Sequence, residues 1–203
     1  MGALLAFILT RPLFREARIA DSGTHFASHR ARVANGNALP HDTCQTLVIN
    51  LLPSQIAEVS VIDFNNPERS YTLTLDTLGN ATLRNTHANE ELTNLDSSRV
   101  RRYLSYFSEF NAERCATELS EDEYEEMLRF NYAYTISITS HDGNKQNIGI
   151  LHMPASEEYD IFGRPTTVDL DRCYLANGNN PYWLVALWAD IDLLIKDVDF
   201  FMK

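Results

Sequence analysis

Tyr71-Thr72-Leu73-Thr74-Leu75 and Tyr134-Thr135-Ile136-Ser137-Ile138-Thr139 decide the architecture of this chain. In both, apolar side chains alternate with hydroxyl-bearing ones. A period of two puts every second side chain on the same face, so each stretch reads as a half-buried strand. Around the first, Ile56, Val59, Val61 and Ile62 predict a strand over residues 57–63, followed by a turn at Asn65-Asn66-Pro67. A second turn at Leu78-Gly79-Asn80 leads into a strand that begins at Ala81-Thr82-Leu83. Turns this short cannot carry a parallel crossover, so the strands form an antiparallel meander. Around the second stretch, His141-Asp142-Gly143-Asn144 predicts a turn and residues 147–152 the returning strand of a hairpin. Residues 168–175 read as a strand whose apolar phase slips between Leu170 and Cys173, the mark of a bulge. Residues 182–188 are a continuous apolar run of strand length, which predicts a strand buried on both faces.

Between and after these strands the period changes. Val100, Tyr103, Leu104, Phe107 and Phe110 recur at helical spacing behind Asp96-Ser97, predicting a helix over residues 97–110. Ser120-Glu121-Asp122-Glu123 is a capping box ahead of Tyr124, Met127 and Leu128. Asp190 predicts the cap of a last helix with Ile191, Leu194, Ile195, Val198 and Phe201 on one face. The chain then divides into a lead-in, residues 1–50, and a module, residues 51–203, with two sub-units, 51–130 and 131–203. Each sub-unit runs strand, strand, helix. The predicted fold class is therefore α+β: antiparallel sheets with helices packed on one face.

The chain has 203 residues, 44% of them hydrophobic and 22% charged, with a net charge of −11. This is the composition of a folded protein and excludes a disordered or collagen-like chain. No apolar run approaches the roughly 20 residues that a membrane helix needs. Residues 1–50 carry a net +2 and the remainder −13, so a general nucleic-acid binder, which needs a basic surface, is excluded. Residues 3–9 are a short apolar stretch followed by Arg11 and Pro12, without the basic start or cleavage site of a signal peptide. They read either as a buried strand or helix turn, or as the tail of an anchor helix.

Motifs for catalysis are missing: no nucleophile elbow, phosphate-binding loop, dinucleotide fingerprint, zinc-protease helix or Cys-x-x-Cys pair occurs. His25, His29, His41 and Cys44 have spacings that suit zinc, but they fall in an unpatterned leader where such spacings arise by chance. No metal, cofactor or catalytic residue is assigned. Cys44, Cys115 and Cys173 are an odd number of cysteines, which leaves at least one free thiol, and they read most simply as small core residues. The acids between Glu118 and Glu126 read as a helix start and a solvated face. Asp197 and Asp199 are anomalous, because they lie late in the last predicted helix, where negative charge is unfavourable. Asp169 and Asp171 share a strand face and are the candidates for a carboxylate-based hydrolase. Tyr182 and Trp188 are the candidate ligand-binding side chains, for a small ligand or a glycan.

The order of three segments resembles a known family. Leu51-Leu52-Pro53-Ser54-Gln55-Ile56-Ala57-Glu58-Val59-Ser60-Val61 leads into Asn66-Pro67-Glu68-Arg69-Ser70-Tyr71; Arg102-Tyr103-Leu104-Ser105-Tyr106-Phe107 follows; Asp171-Arg172-Cys173-Tyr174-Leu175 precedes an apolar strand and a closing helix. Over roughly residues 50–203 this pattern is similar to the bacterial family called domain of unknown function 4340. The resemblance implies an envelope protein with one N-terminal anchor and repeated α+β modules, and it implies no catalytic residues. Against that pattern the chain is short and has at most part of an anchor, so the upstream module is expected to be missing or separately encoded. The resulting expectation is a non-enzymatic, membrane-associated module of the cell envelope that contacts another protein, with a cytoplasmic location left open. The alternative is a small-ligand or glycan-binding domain.

Overall fold

The computed structural model describes residues 44–117, 119, 120, 123, 127, 132–160, 162–178, 180 and 182–203. In chain order the strands are β1 (Leu47–Ile49), β2 (Ile56–Asp63), β3 (Tyr71–Leu75), β4 (Ala81–Asn85), β5 (Glu90–Leu92), β6 (Phe110–Asn111), β7 (Arg114–Cys115), β8 (Tyr134–Ser140), β9 (Lys145–Pro154), β10 (Val168–Asn177) and β11 (Leu184–Leu187). Two helices, α1 (Ser97–Ser105) and α2 (Trp188–Leu194), follow β5 and β11, and short 3-10 turns lie at Pro53–Gln55, Pro67–Arg69 and Val198–Phe201.

Nine strands form one sheet in the order β5-β4-β3-β2-β8-β9-β10-β11-β7, and β1 pairs with β6 in a separate two-stranded ribbon. Every pairing is antiparallel. From the central β2–β8 pair, one four-stranded meander runs outward on each side, and each ends in a helix. The joint between them is the long register from Glu58 opposite Thr139 to Asp63 opposite Tyr134. Local chemistry sets the turns. At the β8–β9 turn, Gly143 takes φ +86°, which suits a residue with no Cβ, while the Asp142 carboxylate accepts from the Asn144 N–H. At the end of β2, the buried Asp63 carboxylate accepts from the N–H groups of Asn65 and Asn66 at 2.9 and 2.8 Å, which turns the chain toward β3.

The alternation seen in the sequence sorts the two faces of this sheet. Val59 and Val61 of β2, Tyr71 and Leu73 of β3, Leu83 of β4, Ile136 and Ile138 of β8, Ile148 and Ile150 of β9 and Leu175 of β10 are buried in a single core. Val100, Tyr103, Leu104, Ile191 and Leu194 from the helices join it, as do Val48 and Ile49 of β1. The opposite face carries Ser60, Thr72, Thr135 and Ser137, with Thr72 hydrogen-bonded to Ser60 and Ser137 to Asn147. Farther along that face, toward β11, Leu151, Tyr174 and Val185 are buried instead. There a Cβ on Gly149 would run into the Tyr132 ring, so the strand must be bare at that point for the ring to cross it.

The core is closed by a chain of hydroxyls. Tyr71 on β3 donates to the Tyr103 hydroxyl on α1 at 3.0 Å, and Tyr103 donates to the Leu194 carbonyl at 2.8 Å. Leu194 ends α2, so its carbonyl has no partner inside the helix and would otherwise be buried unpaired. Phe201 packs edge-on against both tyrosines, with ring centres 5.3 and 5.0 Å away. The C-terminal segment then returns to α1. Asp96, whose side chain caps α1 through the Ser98 and Arg99 N–H groups, donates its own N–H to the Phe201 carbonyl. Arg99 donates to the Phe200 and Met202 carbonyls.

Three expectations are corrected. First, the α+β class does not hold. The described residues are mostly β, in a nine-stranded sheet plus a two-stranded ribbon, and their two helices have nine and seven residues. The predicted helix over 97–110 stops at Ser105, and Phe110 enters β6, because apolar spacing cannot distinguish a further helical turn from a tight turn into a strand. The predicted last helix breaks at Ile195 (φ −110°, ψ 39°) and restarts as the 3-10 turn. This break accounts for the anomalous acids: Asp197 immediately precedes that turn and Asp199 lies in its first turn, both at its N-terminal end rather than late in a helix, and Asp197 pairs with Arg69 at 2.9 Å. Second, residues 44–49, read as lead-in, are built into the core through β1. Third, Cys44 and Cys115 are joined as a disulfide, with Cα atoms 6.4 Å apart and a sequence separation of 71. Closing a loop of that length removes about 4 kcal/mol of chain entropy from the unfolded state. Cys173 is the free, buried thiol. The Ser120–Glu123 capping hydrogen bonds are present, whereas Tyr124 and Leu128 of that predicted helix lie outside the described residues, as do residues 1–43.

The hydroxyl chain makes a prediction. Tyr103→Phe removes the donor to Leu194 and the acceptor of Tyr71, at an expected cost of about 1–3 kcal/mol in urea denaturation. Burial raises both phenols above the ordinary 10.0, so the folded state keeps protons that the unfolded state releases. Stability from these groups is complete below pH 10 and falls as pH rises beyond it. The phenylalanine variant is expected to lose stability less steeply in that alkaline range.

Candidate functional site

The β9–β10 hairpin outruns the sheet. β8 matches β9 only as far as Ile150, and β11 matches β10 only from Arg172. Among the described residues, the hairpin from 153 to 171 therefore has no flanking strand and projects as a two-stranded arm. An isolated ribbon of this kind is marginally stable in water, so its order must come from its own hydrogen bonds. The Thr166 N–H donates to the Glu158 carbonyl, the Asp160 N–H to the Arg164 carbonyl and the Gly163 N–H to the Asp160 carbonyl. Tyr159 bridges to Pro165.

Asp160 organises the tip. Its Oδ1 accepts from the Phe162 and Arg164 N–H groups, both at 2.9 Å, and its Oδ2 accepts from Arg164 Nε at 2.7 Å. The Arg164 N–H, helped by the guanidinium and the Phe162 N–H, holds the Asp160 carboxyl below its ordinary value. The guanidinium in turn lies 5.1 Å over the Phe162 ring. At the base of the arm, Asp169 accepts from the Asp171 and Arg172 N–H groups, which shapes the bulge between Val168 and Cys173. Arg172 then anchors the base with a forked pair to Glu113 at 2.8 and 3.1 Å.

This bracing holds large apolar side chains in water. Phe162 is 75% exposed, Leu170 64% and Tyr159 59%. None contributes to the core, and each exposes apolar surface that the fold does not require.

A second aromatic group lies on the helix face of the sheet. Trp188, the first residue of α2, has its ring 6.3 Å from Tyr134 and 5.2 Å from His152. Burial, reinforced by the nearby Asp63 carboxylate, raises the Tyr134 phenol. Tyr182 does not belong to this group. It sits before β11, and Trp188 sits after it, about 20 Å away along the strand at ~3.3 Å per residue. The two candidate ligand-binding residues thus do not share a site.

The remaining candidates have structural explanations. Register brings His152 opposite Cys173, a pairing the sequence did not reveal. The Cys173 thiol is nevertheless fully buried and faces the Ala186 carbonyl at 3.6 Å; burial, with the Asp169 and Asp192 charges, pushes it up to about 12. It is no thiolate nucleophile. Asp169 is spent on backbone N–H groups of the bulge, so it does not form a free carboxylate pair with Asp171. Among the described residues no group of three His, Cys, Asp or Glu side chains is placed to hold a metal, and no helix is long and apolar enough to cross a membrane. Cys44 is in the disulfide, and His25, His29 and His41 lie outside the described residues.

Sequence reading placed Phe162-Gly163-Arg164-Pro165 in a loop and missed the arm. The available signal was Asp160 two residues before Phe162 and four before Arg164, the spacing of an Asp that folds a turn back on itself. Comparison with protein families, with curated proteins and with solved structures finds no match to this chain.

Asp160→Ala removes the brace but no core contact. The variant is expected to keep its melting temperature within a few degrees and to be cut by protease within residues 155–167 at least tenfold faster than the parent. Peptide mapping of the first cleavage product checks this.

Proposed function

We propose that this chain is a non-enzymatic binding module of the bacterial cell envelope that docks another protein through the β9–β10 arm. The observation that carries the reading is the pairing of a self-braced projection with exposed Phe162, Tyr159 and Leu170. Aromatic side chains held rigid in water lose little entropy on docking and are typical interface anchors. The disulfide between Cys44 and Cys115 suits an oxidising compartment outside the cytoplasm. The resemblance to domain of unknown function 4340 favours the envelope as well, and the apolar residues 3–9 are the part of the chain that would attach it to a membrane.

One observation favours a second reading, a small-ligand or glycan site at Trp188. Its half-buried ring lies beside Tyr134 and the exposed His152, a cluster that could stack on a sugar face. A ligand there raises the melting temperature of the parent but not of Trp188→Ala.

A photo-crosslinking amino acid placed in cells at residue 162, and as a control at residue 142 in the distant β8–β9 turn, tests the docking reading. A discrete adduct from 162 and none from 142 is the expected outcome. Equal, diffuse patterns from both positions overturn it.

A further inference from the structure

The charges on the arm restrict what it can dock, and this deepens the docking reading on which it rests. Between residues 155 and 172 the sequence has Glu157, Glu158, Asp160, Asp169 and Asp171 against Arg164 and Arg172. Both arginines are already used. Arg164 is paired with Asp160 at 2.7 Å, and Arg172 is paired with Glu113 at 2.8 Å. Asp169 is taken up by backbone N–H groups. The acids left facing water are Glu157, Glu158 and Asp171, all exposed; Glu157 and Glu158 directly precede Tyr159 in the chain, and Asp171 directly follows Leu170.

We infer that the arm's partner is a protein segment with a basic surface around large apolar side chains. Lys or Arg of such a partner would meet Glu157, Glu158 and Asp171, while its apolar groups cover Phe162 and Tyr159. The same charges disfavour the other occupants. A second copy would bring acid against acid, in a chain of net charge −11. An anionic bilayer would be repelled before the aromatic tip could insert. Attraction of this kind speeds encounter and excludes wrong partners, and salt screens it.

The test is selection of random twelve-residue peptides on the immobilised full chain, with the Phe162→Ser protein as a second target. The Kd of each recovered peptide is then measured on the parent, on Phe162→Ser and on Glu157→Gln/Glu158→Gln, at low and high salt. Phe162 lies outside the core, so an unchanged melting temperature verifies that the variants are folded. The expected result is a set of net-positive peptides with at least one large apolar residue. They bind each variant at least fivefold more weakly and lose at least fivefold in affinity at high salt. Peptides that need Phe162 but are neutral or acidic, or indifferent to salt and to the Gln substitutions, overturn the basic partner and leave the docking arm standing. Peptides that bind Phe162→Ser as well as the parent overturn both. Flotation of the parent, but not of Phe162→Ser, with phosphatidylglycerol vesicles also overturns the basic partner, in favour of a membrane.

Discussion

The hydrogen bond from Tyr103 to the Leu194 carbonyl, with Tyr71 donating behind it, is the contact on which the helix side of this molecule depends. It joins β3, α1 and the end of α2 through groups that are all buried. Each end of the chain of hydroxyls would be costly if left open, because a buried polar group without a partner loses its water and gains nothing. The packing around it follows from that geometry. Phe107 lies 5.1 Å from Tyr103, and Phe201 lies against both tyrosines, so the C-terminal 3-10 turn closes over the pair. With that turn in place, Asp96 and Arg99 hold the last residues against the start of α1, and the two halves of the sheet share one core.

The helices are too short to be stable alone, since isolated helices below about 12–15 residues are marginal in water. They persist because the sheet supplies their apolar partner surface. The ribbon of β1 and β6 completes the cover, tied to the sheet by the Gln146 side chain of β9 donating to the Val48 carbonyl of β1 and, just before β1, by the disulfide from Cys44 to β7. The largest buried apolar cluster thus lies on the helix side of the sheet. The arm lies outside that region, and its bracing is local, through Asp160. Such a division allows the exposed side chains of the arm to change without loss of the core.

How much was legible depends on the range of the interaction. Strands β2, β3, β8 and β9 were readable, because alternation such as Tyr71, Leu73 and Leu75 reports directly which face is buried. The bulge in β10 was readable from its phase slip. The short strands β1, β5, β6 and β7 were not: two or three residues carry no period, and their pairing partners are distant in sequence. The end of α1 was misplaced because Phe107 and Phe110 continue the helical spacing while serving the core and a strand respectively. Of the candidate site, the residues were visible, but their projection was not, since among the described residues it arises from two neighbouring strands that stop early.

By itself, the amino-acid sequence determined the antiparallel meanders, the turns at Asp and Gly residues, and the acidic net charge. These follow from side-chain period, backbone freedom and charge, all of which are local or summed quantities. Tertiary structure alone decided that the meanders join at β2 and β8 into one sheet, that Cys44 meets Cys115, and that Asp197 starts a turn rather than ending a helix. It alone decided as well that Tyr159, Phe162 and Leu170 stand in water on an arm. Each of these is a contact, or a lack of one, between segments far apart in the chain, and no local pattern encodes which distant segment arrives.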